Sequence, residues 1–399
     1  MNKEFRDSLL RSFDEPPSRI KTDCVKWDKR LHKFGREDII PLWVADMDFA
    51  APAAVREALQ HRLSHGIYGY TFRTRGYIES VVNWLSRRYQ WKVSVRDLIF
   101  YPPGTVAAVN MLVNLLTQPE DEVIVQVPSY PPLMNIVRNN NRRLIENPLV
   151  LTDNGYKMDL ELLESQVSDK TKLLILCSPH NPTGRVWSKE TLAELARICL
   201  RHNIKVVSDE IHADLTRPGI KHCHFNALPQ SERPSSVTII STCKSFNLAG
   251  LPQSTLICDD QNLRKKIQQQ VDNSQVNLDS LFVAIATEAA YSQGEEWLDC
   301  LREYLYENRT YLESFLKDNI PKIRLLPAQG TYLAWLDCRA LGLPNAQLQD
   351  IFIHQAKVGL YDGLDFGRGG EGFFRLNFAC SRSLLDKALN QIKTAIDKL

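Results

Sequence analysis

A chain of 399 residues, 44% hydrophobic and 24% charged, is long enough to bury a large core and a closed site, and its composition is that of a soluble globular protein. A formal net charge of +2 excludes the charge excess by which proteins hold nucleic acid or an acidic membrane surface. Nine cysteines, an odd number with no Cys-x-x-Cys pair, argue against a disulfide framework or a structural zinc site and suit a reducing cytosol.

The N-terminal stretch MNKEFRDSLL lacks the apolar core of a secretory signal, and no apolar run approaches the roughly 18 residues of a membrane span. The expectation is a cytoplasmic protein with no membrane or nucleic-acid partner. Four short runs read as buried strands: Glu122–Val127 (EVIVQV), Lys172–Cys177 (KLLILC), Ile204–Ser208 (IKVVS) and Val237–Thr242 (VTIIST). Between them, Lys189–His202 carries Leu192, Leu195, Ala196 and Cys199 at helical spacing. Strand–helix–strand repetition with doubly buried strands predicts an α/β fold with a mostly parallel sheet flanked by helices. Further on, Glu295–Leu316 reads as a long connecting helix. Thr331–Asp337 (TYLAWLD) alternates as a half-exposed strand does, Phe373–Phe378 looks similar, and Ser383–Leu399 is an amphipathic helix. These ends predict a smaller α+β domain. The expected division is a large domain over 51–289 and a small one built from 1–50 and 290–399 together.

In a parallel sheet, ligands bind beyond the carboxyl ends of the strands. The residues that follow the four runs place Tyr130, Asn181, Asp209, His212 and Lys244 on one rim. That set matches what pyridoxal phosphate demands: a lysine to form an imine with its aldehyde, and a carboxylate to keep its pyridine nitrogen protonated. An amide or imidazole serves its phenolate oxygen, and an aromatic ring covers its face. Lys244 is the expected attachment point, Asp209 the carboxylate, Asn181 the amide, Tyr130 the stacking ring and His212 a partner for the phenolate. Arg375 interrupts an apolar strand, which is costly unless it is paired, and its forked guanidinium suits a substrate carboxylate.

Ser178-Pro-His-Asn-Pro-Thr-Gly184, Ser208-Asp-Glu-Ile-His212 and Ser241-Thr-Cys-Lys244 resemble fold type I pyridoxal-phosphate enzymes, the aspartate aminotransferase superfamily. Trp43-Val-Ala-Asp-Met-Asp-Phe49, Gly69-Tyr70, Thr331-Tyr-Leu-Ala-Trp335 and Gly370-Glu-Gly-Phe-Phe-Arg-Leu-Asn377 are similar to its carbon–sulfur β-lyase branch, the MalY/PatB-like cystathionine β-lyases. The likeness runs from about Lys26 to the C-terminus. It implies that Lys244 carries the cofactor and acts as acid and base, and that Arg375 clamps the substrate α-carboxylate. It also implies that Gly104 and Thr105, opening a helix, hold the phosphate with Ser241. Tyr70 would reach the phosphate of a neighbouring subunit, so a homodimer with shared active sites is implied. The implied reaction is α,β-elimination of cystathionine, cysteine or an S-substituted cysteine to thiol, pyruvate and ammonia.

Three positions depart from the family pattern. Pro252 stands eight residues after the lysine, where many aminotransferases of the superfamily carry a phosphate-binding arginine, and this leans towards a lyase. Cys243 precedes the lysine where serine is common, and Asp362-Gly-Leu-Asp-Phe366-Gly replaces a Pro-Gly-x-x-Tyr-Gly loop that faces substrate in relatives. Two lookalikes are set aside. Gly367–Gly372 is glycine-rich but precedes a strand. His222-Cys-His224 is expected to point its imidazoles to opposite sides, and no metal is expected. The rival readings are an aminotransferase with the same residues and a cofactor-binding regulatory protein with little turnover.

Overall fold

The computed structural model describes residues 3–276 and 278–399. Its main sheet has seven strands: β1 (Leu98–Tyr101), β2 (Glu122–Val127), β3 (Arg143–Pro148), β4 (Thr171–Cys177), β5 (Lys205–Asp209), β6 (Ser236–Ile240) and β7 (Ser254–Ile257). Their spatial order is β1-β7-β6-β5-β4-β2-β3. Only β7 runs against its two neighbours; every other pairing is parallel. The four strands read from the sequence are thus contiguous in the middle of the sheet, each within a residue or two of its expected bounds.

Burial on both faces explains their uninterrupted apolar character. Val123, Val125 and Val127 pack on one side with Leu173, Ile175 and Val207, against the helices Thr105–Leu116, Pro131–Asn139 and Gln261–Asn273. Ile124, Leu174, Leu176 and Val206 pack on the other side, where the helix Lys189–Arg201 contributes Leu192, Leu195 and Cys199. The alternation has a consequence at the end of β5. Asp209 shares the face of Val207, whereas Ser208 and Glu210 take the face of Val206.

A second sheet has four strands, β8 (Arg324–Leu325), β9 (Leu333–Asp337), β10 (Tyr361–Asp362) and β11 (Phe373–Asn377), in the order β8-β9-β11-β10. It is antiparallel throughout. Here the expectation of half-exposed strands is overturned, because every residue of β9 and β11 is buried. The alternation is real, but both faces meet a core. Leu333, Leu336, Phe374 and Leu376 join the cluster that includes the helices Glu295–Asn319 and Arg382–Ile396, while Trp335 and Phe373 turn towards the main sheet's second core. Trp335 stacks on Phe373 with ring centroids 5.3 Å apart.

The N-terminal segment is tied to this second sheet. Ile40 and Pro41 pair in parallel with Val358 and Gly359, Asn377 N–H donates to Leu42 O, and Asp48 N–H donates to Ala379 O. A buried ion network anchors the segment that follows. Lys26, fully buried, reaches Asp48 at 2.9 Å, and Arg19 bridges Asp46 and Asp48 at 2.7 and 2.9 Å. Among the described residues no helix is long and apolar enough to cross a membrane.

Candidate active site

Four of the residues singled out by the sequence meet beyond the ends of β2, β4, β5 and β6. Lys244 lies in a single helical turn, Thr242–Ser245, that begins just after β6. Its Nζ donates to the Ala45 carbonyl at 2.6 Å, and burial is the main influence lowering its pKa, with the nearby Arg375 adding to it. The shift is towards the neutral amine, the form that can attack a carbonyl or take a proton, while Asp46 and Asp209 oppose it.

Asp209 is the last residue of β5 and is 5% exposed. Among the described residues its carboxylate accepts one long hydrogen bond, from Ile211 N–H at 3.3 Å, and no cation forms an ion pair with it. Burial without compensation pushes its carboxyl up to about 6, although Ile211 N–H and Lys244 pull the other way. Asn181 and Arg375, which come from different sheets, are joined directly: Arg375 Nη1 donates to Asn181 Oδ1 at 3.0 Å. Because a guanidinium only donates, this contact fixes the amide's orientation and leaves the Asn181 N–H groups for another acceptor.

Arg375 is 1% exposed. Its Nη2 donates to the Trp43 carbonyl at 2.8 Å, its Nε has no partner, and the rings of Tyr361 and Phe366 lie 4.8 and 5.1 Å from its guanidinium carbon. No carboxylate pairs with it among the described residues, so its charge is not accounted for by a structural ion pair there. Burial lowers it to about 10, still charged at neutral pH. Tyr130 leads into the helix Pro131–Asn139; its phenol is raised by burial and opposed by the charge of Arg375. His212 is buried beside Tyr332, its Nδ1 is unpartnered, and burial together with Lys244 and Arg375 keeps it neutral.

Gly104 caps the N-terminus of the helix Thr105–Leu116 with φ 90°, a conformation that favours glycine. A Cβ at Gly104 would lie 3.3 Å from Pro252 Cβ, so Pro252 stands at this helix end. Ser241 is 2% exposed and bonded within its own loop. Its hydroxyl donates to Gln253 O at 2.6 Å and accepts from Cys243 N–H at 3.2 Å, so it serves as the cap of the Lys244 turn. Tyr70 is 98% exposed and does not approach this site.

The structure corrects the reading of His222 and His224. Positions two apart on an extended chain share a side, and both imidazoles donate to Glu210 Oε2, at 2.7 and 2.5 Å. Ser208 Oγ and Phe225 N–H donate to Oε1. These separations are those of hydrogen bonds. Two ligand atoms on one tetrahedral zinc, each about 2.05 Å away, stand about 3.3 Å apart. The cluster is a buried carboxylate saturated by donors on the sheet face opposite Asp209, and burial is outweighed there by the two imidazoles, which hold Glu210 well below the usual carboxylate range.

Sequence reasoning also missed the part played by the backbone of Trp43–Met47. Ala45 O accepts from Lys244 and from Tyr332 Oη, Trp43 O accepts from Arg375, and Val44 O and Asp46 O accept from Asn377 Nδ2. A main-chain acceptor has no side-chain signature, so only the run of residues itself could have drawn attention.

Whether pyridoxal phosphate fits can be judged from the groups left without partners. A buried carboxylate awaits a cation at Asp209, an unpartnered neutral imidazole stands at His212, and an amide holds free donors at Asn181. A glycine-capped helix end suits a phosphate, and Asp209 and His212 both lie within electrostatic reach of Lys244. The donor set fits the group.

Comparison with known proteins agrees with this arrangement. A cystathionine β-lyase, PatB of Bacillus subtilis, is 43% identical over 386 residues, covering 96% of this chain and all of the relative. The structure of cystalysin from Treponema denticola, which contains pyridoxal 5'-phosphate, superposes with a TM-score of 0.93 at 32% identity, covering 97% of this chain and 98% of that one. A PLP-bound C–S lyase from Staphylococcus hominis gives a TM-score of 0.88 at 33% identity, covering 96% and 97%. Residues 37–392 match the family model of aminotransferase class I and II, and the chain belongs to that family.

Proposed function

We propose that this chain is a pyridoxal-phosphate-dependent carbon–sulfur lyase that eliminates the sulfur substituent from Cβ of cystathionine, cysteine or an S-substituted cysteine. The observation that carries the reading is the buried, cation-free Asp209 facing the same rim as Lys244 and Arg375, in a chain 43% identical over its length to a cystathionine β-lyase. When bound, the cofactor supplies an electron sink for the charge left at Cα.

The chain's own residues do the rest. With the cofactor bound, Asp209 would face the ring nitrogen and keep it protonated. Asn181 N–H would donate to the phenolate oxygen, His212 would be a neutral partner for it, and Tyr130 would cover a ring face. Gly104, Thr105 and the main chain at that helix end would hold the phosphate together with Ser241. Arg375, with Nε free, binds the α-carboxylate of the substrate, and its bonds to Asn181 and Trp43 fix its plane. Lys244 Nζ takes the proton from Cα. The Cβ–S bond then breaks with its electron pair on sulfur, and Lys244 returns the proton to the departing thiolate. Water converts the remaining three-carbon fragment to pyruvate and ammonia.

Residues 1–50 and 290–399 form, on this reading, a small domain that can move against 51–289. The pairing of Ile40–Pro41 with Val358–Gly359 supports that division. Tyr70 reaches the phosphate site of a second copy, giving a homodimer. The exposure of Ile67, Tyr68, Tyr70 and Phe72 in one short stretch supports this, since isolated monomers seldom expose such patches. Cysteines that form no disulfide among the described residues support a cytoplasmic location.

The test is incubation with cystathionine or cysteine without any keto acid. A lyase releases pyruvate and thiol, and Lys244→Ala lowers that release by several powers of ten. Turnover that appears only when a keto-acid acceptor is added identifies an aminotransferase instead, and Lys244→Ala turning over at the parent rate ends the proposal.

A further inference from the structure

Lys244 can act only if its short turn is held still, and the holding group lies outside the site described above. The turn Thr242–Ser245 is four residues long, too short to persist by its own backbone bonds. Ser241 caps its start. At its other end, Ser245 Oγ, on the residue after Lys244, donates to Asp214 Oδ2 at 2.6 Å, with both residues buried. The second oxygen of Asp214 accepts from Trp84 Nε1 at 3.0 Å and from the Tyr89 hydroxyl. Trp84 and Tyr89 belong to the 15-residue helix Arg75–Tyr89. Trp84 is 1% exposed and packs against Phe246, two residues beyond Lys244, with ring centroids 5.6 Å apart. One carboxylate therefore bolts the lysine's turn to a long, well-packed helix through three neutral donors.

We propose that Asp214 is a positioning residue for Lys244, acting through Ser245 to aim the amine; the proposal rests on the lyase reading for its kinetic arm only. Asp214 acts by geometry. Loss of the Asp214 carboxylate leaves two buried donors, Trp84 and Ser245, and the half-buried Tyr89 hydroxyl unpaired and frees the turn to shift, whereas an asparagine in its place preserves the contacts. Its Oδ1 still accepts from Trp84 and Tyr89, and its Nδ2 can donate to Ser245 Oγ.

The experiment compares the parent holoenzyme with Ser245→Ala, Asp214→Ala and Asp214→Asn. Two quantities are read: kcat and KM for pyruvate release from cystathionine, and the pH midpoint of the absorbance of the cofactor linked to Lys244. Ser245→Ala lowers kcat roughly tenfold with KM nearly unchanged and moves the absorbance midpoint. Asp214→Ala lowers kcat about 100-fold, the size of effect that an ångström of misplacement produces. Asp214→Asn recovers most of that loss. A Ser245→Ala enzyme with the parent's kcat and absorbance midpoint overturns the proposal, and so does an Asp214→Asn enzyme as impaired as Asp214→Ala. If Asp214→Ala fails to fold, the two remaining variants decide by the same comparison. If the parent releases no pyruvate from any sulfur amino acid, the lyase reading fails on its own, and the absorbance midpoints alone decide for Asp214.

Discussion

Asp209 is held ionised at neutral pH in a place that disfavours ionisation, and this makes a stability prediction for the protein freed of cofactor. Its carboxyl rises from the ordinary 3.8 to about 6 through burial. That difference corresponds to about 3 kcal/mol against the folded state once the group is charged in both states. The sign follows from the direction of the change. Below pH 3.8 the group is protonated whether the chain is folded or not, and it costs nothing. Between 3.8 and about 6 the unfolded chain loses its proton first, so folding becomes progressively less favourable, and above about 6 the full penalty applies. Asp209→Asn keeps the acceptor for Ile211 N–H and abolishes the charge. The cofactor-free variant should therefore resist urea better than the cofactor-free parent at pH 8, by up to about 3 kcal/mol, with most of the advantage gone by pH 4.5. Adding pyridoxal phosphate should reverse the order, because a ligand that binds the parent more tightly stabilises it more. A variant that unfolds at or below the parent's urea midpoint at pH 8, or that gains equally at both pH values, refutes the reasoning.

Arg375→Lys replaces a fork held by Asn181 and Trp43 with a point charge that cannot keep both bonds, and a loss of roughly 10- to 100-fold in kcat/KM is expected, mostly through KM; steady-state kinetics with cystathionine check it. Lys26→Met leaves Asp48 buried with one fewer cation, and a loss of about 3 kcal/mol in urea unfolding is expected; an unchanged midpoint would show the pair to be dispensable.

The sequence made the middle of the main sheet legible because its strands are buried on both sides and announce themselves as apolar runs. The polar residues that follow each run then sat where a parallel sheet places its ligands, so Lys244, Asp209, Asn181 and Tyr130 could be named together before any coordinate was known. Arg375 was legible for a different reason: a charge inside Phe373–Asn377 needs an explanation. The small sheet was misread because alternation reveals that a strand has two kinds of face and does not reveal what covers them. In β9 one face meets the helical core and the other places Trp335 against Phe373. His222 and His224 were misjudged through their spacing, and their shared acceptor Glu210 lies 12 residues or more away in the chain. Asp214 was not singled out because its importance lies in three donors drawn from two distant segments.

The carbonyls of Trp43, Val44, Ala45 and Asp46 carry one last implication. A site wall made of main chain is indifferent to which side chains ride on it and sensitive to where it lies. Substitution at Val44 or Ala45 leaves those acceptors in place, whereas inserting or deleting a single residue between Arg19 and Asp48 shifts every one of them relative to Lys244, Arg375 and Asn377. In this stretch the length of the chain, more than its spelling, is what function constrains.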